Sequence, residues 1–234
     1  AIEVQVVVSM VSAANARLNL ETEQPVRDFE ATRSAARKAW ATVLDKVSVE
    51  GGTEAQRRTF YTALYHTQIH PNVLQDVNGE YPRMESDEVL KTSGNRYTVF
   101  SLWDTYRNLT QLQTLLFPNL QEQMAQSMID MYKEWGWMPK WELYGRETWT
   151  MEGDPSIPII TDMYLKGLRG FDAAAAYEAF EKSANMKGRE NLQRPDNDAY
   201  IDLGYIPLGW FSADMSGDNS VSHALEYYVA DNAM

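Results

Sequence analysis

Hydrophobic positions alternate at the start of the chain and then change to a helical period. Val4, Val6 and Val8 recur at every second position, which predicts a β-strand over residues 2–11. After Pro25 the apolar residues recur three and four positions apart, which is typical of amphipathic helices. The chain therefore predicts one short strand followed by a long helical region.

Seven helices follow from this spacing and from the glycines and prolines that interrupt it. Gly51 and Gly52 end the first helix, and Thr53 is placed to cap the second. Asn78-Gly79 predicts a turn within a small hairpin. A long loop is expected over residues 186–218. The predicted helices cover residues 26–47, 54–70, 99–117, 120–135, 156–168, 172–186 and 218–233.

Helices joined by alternately short and long connections favour a toroid over a bundle, and we expect a mainly α fold with a short N-terminal strand. The long loops of such barrels collect on one face and carry the functional site. The chain opens in a strand pattern and closes in a helical pattern at residues 230–234. We therefore expect a fragment of a larger protein that exposes an apolar patch, and that self-associates or binds the remainder.

Composition narrows the classes of partner. The 234 residues carry a net charge of −12, which argues against nucleic acid because phosphate binding needs clustered lysine and arginine. The absence of cysteine excludes disulfides, thiolate metal sites and cysteine nucleophiles. No apolar run approaches the roughly 20 residues of a membrane span.

Two aromatic clusters carry the candidate chemistry. Residues 97–107 read YTVFSLWDTYR, and residues 135–154 contain four tryptophans among glutamate, arginine and aspartate. Aromatic faces beside carboxylates and guanidinium groups suit a sugar, because C–H surfaces stack on rings while hydroxyl groups form directional hydrogen bonds. A tryptophan-rich helix core is the structural alternative. The local order of the residues favours a carbohydrate site.

These segments resemble the glycoside hydrolase family 92 α-mannosidases. The resemblance runs in order through almost the whole chain. Its motifs are SMVSAANARLNLETE (9–23), RTFYTALYHTQIHPN (58–72), DVNGEY (76–81), YTVFSLWDTYR (97–107), GWMPKWELYGRETWTMEGDPS (136–156), DMYLKGLRGFD (162–172), LGYIP (203–207) and SVSHALEYYVAD (220–231).

The resemblance implies an exo-acting, calcium-dependent α-mannosidase that inverts the anomeric centre. Such enzymes combine an N-terminal β-sandwich with an (α/α)6 barrel. Residues 1–24 are similar to the end of the sandwich and the junction, and residues 25–234 to the linker helices and first half of the barrel. The general acid, the base and most calcium ligands are expected beyond Met234. The fragment alone is therefore expected to be inactive. The resemblance also implies a bacterial protein that is secreted, periplasmic or on the cell surface.

The chain departs from the family pattern at several points, among them residues 109–112, 154–157 and 228–231. These differences are typical of subgroup variation, for which an α-1,2 linkage preference is one interpretation. A non-catalytic helical sugar-binding or assembly module, and another α/α-barrel glycosidase, remain alternatives.

Asp104 is the strongest candidate for substrate binding. A carboxylate in an apolar, aromatic helix start is costly to bury unless it has hydrogen-bond donors, and the resemblance assigns the position to sugar hydroxyls. The alternative is an ion pair with Arg107 three residues later. Trp103 and Arg107 are expected beside it.

Glu142 and Glu147 are the obvious pair of carboxyls for an inverting glycosidase, which needs two of them ~6.5–9.5 Å apart. The resemblance places the acid and base elsewhere, so Glu147 and Arg146 are predicted to line the site. Glu226 is predicted either to contact the sugar or to hold neighbouring loops together.

No metal site is assigned from the sequence. His66 and His70 have i,i+4 spacing but lack the following acid of a zinc motif, and the three histidines are interpreted as structural. Asp76 and Asn78 faintly resemble a calcium loop without its later ligands, and are interpreted as a turn.

Overall fold

The computed structural model describes residues 2, 4–210 and 219–234, and over this range the chain is mainly α-helical. The helices are α1 (Ala13–Glu23), α2 (Phe29–Leu44), α3 (Glu54–His66), α4 (Leu102–Thr105), α5 (Leu109–Leu116), α6 (Pro118–Trp135), α7 (Ser156–Leu165), α8 (Ala173–Asn185), α9 (Asn197–Leu203) and α10 (Ser220–Ala233). None of them is long and apolar enough to cross a membrane.

Six short strands form three antiparallel pairs in the described part of the chain. β1 (Asn72–Val73) pairs with β4 (Tyr97–Thr98), and β2 (Glu80–Pro82) pairs with β3 (Val89–Lys91). β5 (Glu142–Leu143) pairs with β6 (Arg146–Glu147), with Glu142 opposite Glu147. These strand pairs lie between the helices and do not form a continuous sheet.

Local signals set the helix ends. Ser12, Asp28 and Asp172 each accept a backbone N–H at the start of a helix. The predicted Thr53 cap is confirmed, and it forms a reciprocal capping box with Gln56. Gly136 ends α6 in the left-handed conformation, with φ of 98°, which a residue with a Cβ adopts at a cost.

The core lies between α6, α7 and α8 and is rich in methionine and isoleucine. Its centre includes Met128, Ile129, Met131, Ile157 and Met163, each at most 1% exposed. The flexible thioethers of methionine fill irregular gaps between these helices. Residues 97, 100 and 102 pack on the same core, and this packing fixes the start of α4 against α6.

The N-terminal strand prediction was wrong for the residues that the structure describes here, 2 and 4–11, none of which is in a strand. Val4, Val6 and Val8 are 77%, 81% and 78% exposed. A strand needs a neighbouring strand to which its backbone hydrogen-bonds, and these residues have none in the described part of the chain. The alternation of apolar and polar residues is therefore not enough to predict a strand here.

The predicted helix 99–117 was also wrong as one element. Residues 99–101 are not helical, because Phe100 N–H donates to the Glu142 carbonyl and Leu102 N–H donates to the Lys140 carbonyl. The remainder divides into α4 and α5. This pairing with a distant segment is a tertiary contact that helical periodicity cannot report.

Other elements differ from prediction in partner or extent. A turn forms at Asn78-Gly79, where Gly79 N–H donates to Asp76 O and Asp76 N–H donates to Glu80 O, but the strand partner of β2 is β3. α1 and α9 were missed. The predicted helix 54–70 ends at His66, and 156–168 ends at Leu165. The predicted loop 186–218 contains α9, and its residues 211–218 lie outside the described range, as does the predicted helix start at 218.

The core assignment predicts unequal costs for two truncations in α7. Ile157 is 1% exposed and Leu165 is 79% exposed. Ile157→Ala should lower the free energy of unfolding by about 2–5 kcal/mol, because it leaves a cavity in the core. Leu165→Ala should change it by no more than about 0.5 kcal/mol. Urea denaturation measures both, and equal costs would contradict the assignment.

Candidate functional site

Glu142 fixes the backbone from which the site projects. Its side chain is 0% exposed and accepts hydrogen bonds from Thr98 Oγ1 at 2.8 Å, Val99 N at 3.0 Å and Gly145 N at 2.5 Å. Val99 has φ of 68°, which is strained for a β-branched residue. The carboxylate thus offsets part of that strain and joins residues 98–99 to the β5–β6 hairpin.

Asp104 lies in the first turn of α4 and is exposed. Ser101 Oγ donates a hydrogen bond to its carboxylate. Because a carboxylate has about four acceptor positions, Asp104 can accept further hydrogen bonds from a hydroxyl-rich ligand.

Arg107 pairs with Glu226 and not with Asp104. Its Nη2 lies 2.9 Å from Glu226 Oε1, and Tyr106 OH donates to Glu226 Oε2 at 2.7 Å. The Arg107 guanidinium also lies 4.6 Å from the centre of the Trp103 ring, within range of a cation–π contact. The structure therefore brings Glu226 to Arg107, which packs on Trp103, although Glu226 lies 119 positions after Arg107 in the sequence.

Gly153 allows Glu226 to approach. A Cβ built on Gly153 would lie 2.6 Å from Glu226 Cβ, closer than side-chain atoms pack, and Gly153 has φ of +69°. Any larger residue would displace either the 152–154 backbone or Glu226. The segment before α7 is thus one wall of the Arg107–Glu226 contact.

Glu147 is engaged by the backbone. Its Oε2 accepts Lys140 N–H at 2.7 Å, and its Oε1 accepts the N–H groups of Trp141, Thr148 and Trp149, each at 2.9 Å. These contacts are compatible with the predicted place of Glu147 in the wall of the site. The carboxylate itself holds the backbone of the loop at residues 140–149. Arg146 pairs at 2.5 Å with the exposed Asp87, on the segment between β2 and β3.

Environment shifts the pKa of two groups near these contacts. Burial raises the pKa of Glu142 to about 7, although the hydrogen bonds from Gly145, Thr98 and Val99 act in the opposite direction. Burial, followed by the hydrogen bond and charge of Glu226, raises the pKa of Tyr106 to about 12. Tyr106 is therefore a neutral donor at ordinary pH.

A resident metal has no ready-made ligand set in the described part of this chain. It contains no group of three or more His, Asp or Glu side chains positioned to hold a metal ion. The predicted turn at Asp76 explains part of this, because its carboxylate accepts hydrogen bonds from Ser9, Asn15 and Asn19.

Sequence reasoning missed Tyr106 and Gly153. Tyr106 was counted among the aromatic residues without a role, and its bond to Glu226 spans 120 positions. The sequence does carry a signal at Gly153, because a glycine can adopt a positive φ without steric cost. Nothing local to the sequence identifies Glu226 as its neighbour.

The environment of Glu142 predicts a pH-dependent stability. Its folded pKa lies above the ordinary 4.5, so its contribution to stability is complete below pH 4.5 and is lost as the pH rises through about 7. Glu142→Gln cannot titrate. The unfolding free energy of this variant, minus that of the wild type, should rise by roughly 1–3 kcal/mol between pH 5 and pH 8.

Urea denaturation at both pH values measures this difference. Glu181→Gln, at an exposed position of α8, is the matched control and should show a constant difference. A constant difference for Glu142→Gln as well would show that burial does not raise the pKa of the Glu142 carboxyl.

Comparison with known proteins places the chain among carbohydrate-active enzymes. Residues 15–234 match the glycosyl hydrolase family 92 catalytic domain. An uncharacterized secreted glycosidase of Arthroderma benhamiae is 27% identical over 244 residues, covering 98% of this chain and 27% of that protein.

Solved structures show the same fold. A family GH92 α-mannosidase from Bacteroides thetaiotaomicron superposes with a TM-score of 0.85 at 32% identity, over 96% of this chain and 29% of that one. Its complex with mannoimidazole gives a TM-score of 0.84. A family GH92 inverting mannosidase of the same species gives 0.83 at 28% identity, over 96% of this chain and 32% of that one. This likeness confirms the mainly α, partial toroid. The chain spans about a third or less of each relative, and it belongs to glycosyl hydrolase family 92.

Proposed function

We propose that the complete protein containing this chain is an exo-acting, inverting α-mannosidase that releases mannose from α-linked glycans. The observation that carries the proposal is the family match over residues 15–234. The solved relatives support the substrate class, since one is an α-mannosidase with a complex of mannoimidazole and another is an inverting mannosidase. An α-1,2 linkage preference is part of the proposal and rests on the sequence departures alone.

Residues of the α4 region bind the sugar in this proposal. Asp104 accepts hydrogen bonds from sugar hydroxyls, Trp103 offers an aromatic surface, and Arg107 donates from a guanidinium whose side chain is 46% exposed. Glu226 orients Arg107. Glu147 and Arg146 contribute to the wall through the loop that they stabilise.

Glu142 and Glu147, the two carboxyls of the β5–β6 hairpin, are not the acid and base of the inverting mechanism in this proposal. One group must protonate the leaving oxygen while the other activates water, so both must reach the substrate. Glu142 is fully buried and Glu147 accepts four backbone N–H groups. We propose that residues beyond Met234 supply the acid and base, and also the ligands of a calcium ion.

Residues 1–24 are proposed as the end of a β-sandwich and its junction, and residues 25–234 as linker helices and the first half of an (α/α)6 barrel. The secreted relative supports an extracellular, periplasmic or cell-surface location, and a bacterial source is part of the proposal.

The complete protein should hydrolyse an aryl α-mannoside and not the matching α-glucoside. Asp104→Asn should lower kcat/KM by about 10- to 1000-fold, because each hydrogen bond to a charged group contributes about 1.5–3 kcal/mol. Asp162→Asn, which removes a surface ion pair with Lys166 in α7, is the control. Chelation should abolish turnover and added calcium should restore it. Hydrolysis of the glucoside alone would indicate another α/α-barrel glycosidase, and no hydrolysis of either would favour a binding module.

Residues 1–234 alone should give no turnover of the same α-mannoside, with or without calcium, because a missing acid and base each cost about 10²- to 10⁴-fold. Circular dichroism should first establish that the fragment is helical, and sedimentation should show self-association through its exposed apolar residues. Turnover that disappears in Glu147→Gln would show that this carboxyl is the acid.

A further inference from the structure

His223 of α10 lies between two carboxylates from different segments. Its Nε2 is 2.5 Å from Glu152 Oε2, in the segment before α7, and its Nδ1 is 2.7 Å from Asp196 Oδ2, at the start of α9. A neutral imidazole has one N–H and would direct a lone pair at one of these oxygens. Both contacts are favourable only when the ring is an imidazolium. We name Glu152, His223 and Asp196 the imidazolium bridge.

The surroundings of the bridge are buried and charged. Burial by itself lowers the pKa of His223, but the hydrogen bond with Asp196 and the charges of Asp196 and Glu152 outweigh it and leave the pKa at about 9. Hydrogen bonds from His223 and Tyr227 keep the pKa of Asp196 below its ordinary value despite burial. The other ionisable groups around the bridge are Tyr227, Glu226 and Asp231 on α10, Asp154 beside Glu152, Arg194 before α9, Tyr200 on α9, and the buried Lys140.

The neighbouring cations have partners of their own, and the buried Lys140 donates to the Gln193 carbonyl at 3.1 Å. Arg194 pairs with Asp154 at 2.9 Å and with Asp231 at 2.8 Å. Tyr227 OH donates to Asp196 Oδ1 at 2.6 Å and remains neutral, since burial raises its pKa. Loss of the proton from His223 would leave Glu152 and Asp196 as two buried carboxylates with one N–H between them, which is unfavourable.

The bridge is one residue from the wall of the candidate site. Glu152 precedes Gly153, whose backbone packs on Glu226, and Glu226 lies one helical turn after His223 on α10. Glu226 in turn binds Arg107 and Tyr106. A shift of residues 152–153 would therefore release Glu226, and Arg107 would lose its orientation.

We propose that His223 is a positioning residue of the sugar site. Its imidazolium holds Glu152 against Asp196, and this contact keeps Gly153 packed on Glu226 so that Arg107 stays beside Trp103 and Asp104. His223 acts through Glu226 and does not itself touch the sugar. The part of this inference that concerns sugar binding rests on the proposed function.

The expected pH dependence follows from the raised pKa. The folded value of about 9 lies above the ordinary 6.5, so the stabilisation is complete below pH 6.5 and is lost as the pH rises through about 9. The site should therefore loosen on the alkaline side.

Two measurements on the complete protein test the bridge without using activity. Imidazole NMR should give His223 a titration midpoint near 9, and Glu152→Gln or Asp196→Asn should each lower that midpoint. Hydrogen exchange, corrected for the intrinsic effect of pH, should rise in residues 148–155 in His223→Gln at pH 7, and in the wild type only above pH 9. An ordinary midpoint or unchanged exchange would overturn the bridge.

Kinetics test the link to the site. His223→Gln should raise KM for an aryl α-mannoside by about threefold to tenfold at pH 7, equivalent to up to one charged hydrogen bond, and should remove the alkaline limb near pH 9. His223→Arg keeps a cation that can donate on two sides, and should restore KM while moving the limb to higher pH. His70→Gln is the control, since this ring contacts Asn72 and lies outside the bridge.

A further variant tests the contact of Glu226 with Arg107 separately from the imidazolium bridge. Glu226→Gln weakens the pairing with Arg107 and should raise KM while leaving the His223 titration unchanged, since the carboxylates beside the imidazole are Glu152 and Asp196. Wild-type KM and pH profile in a folded His223→Gln variant would refute the positioning role. If the complete protein hydrolyses no mannoside but NMR and exchange behave as expected, the proposed function fails and the bridge stands.

Discussion

A desolvated carboxylate, Glu142, is the contact on which the arrangement of the site depends. It accepts hydrogen bonds from Thr98, Val99 and Gly145, and its own carbonyl accepts from Phe100. These bonds hold Val99 in a left-handed conformation and keep the segment immediately before α4 non-helical. Without them the 99–101 backbone could continue as helix, and Asp104 would point elsewhere. The same burial that raises the pKa of Glu142 makes it unsuited to contact a substrate.

Further buried ion pairs complete the frame around the core. Arg96 is 2% exposed and binds both oxygens of Glu134, at 2.9 and 3.0 Å, and this pair ties the start of β4 to α6. Buried pairs of this kind contribute little net stability compared with apolar residues of equal size, but removing one partner leaves an unpaired charge. Their main effect here is on geometry, since each one accepts a single arrangement of the segments that it joins.

The sequence predicted elements well where local signals were sufficient. The Thr53 cap and helices such as α6 and α8 follow from capping residues, Pro118 and helical spacing, and the structure confirms them within a few residues. The N-terminal strand and the single helix 99–117 failed because their outcomes depend on distant partners. The conformation of residues 99–101 is set by Glu142, 43 positions away, and the valines at the N-terminus have no neighbouring strand among the described residues.

The same distinction applies to the site. Sequence patterns singled out Trp103, Arg107 and Glu226 as candidates, and they offered Asp104 only as an alternative partner of Arg107, because Asp104 is near in sequence while Glu226 is near in space. The roles of Glu142 and Glu147 could not be inferred, since a carboxylate that accepts backbone N–H groups has the same sequence signature as one that acts in catalysis. In the structure, burial and hydrogen-bond partners distinguish a carboxylate that holds the backbone from one that can act in catalysis.

Two kinds of acidic residue thus have different roles in the described structure. Glu142, Glu147 and Glu226 have their oxygens occupied by donors of the chain itself, and they determine where the backbone and Arg107 lie. Asp104 alone among these four is exposed, with Ser101 as its hydrogen-bond donor in the described structure. A hydroxyl-rich ligand needs acceptors that are fixed in position yet still free to accept. The buried carboxylates provide the first condition, and the exposed one provides the second.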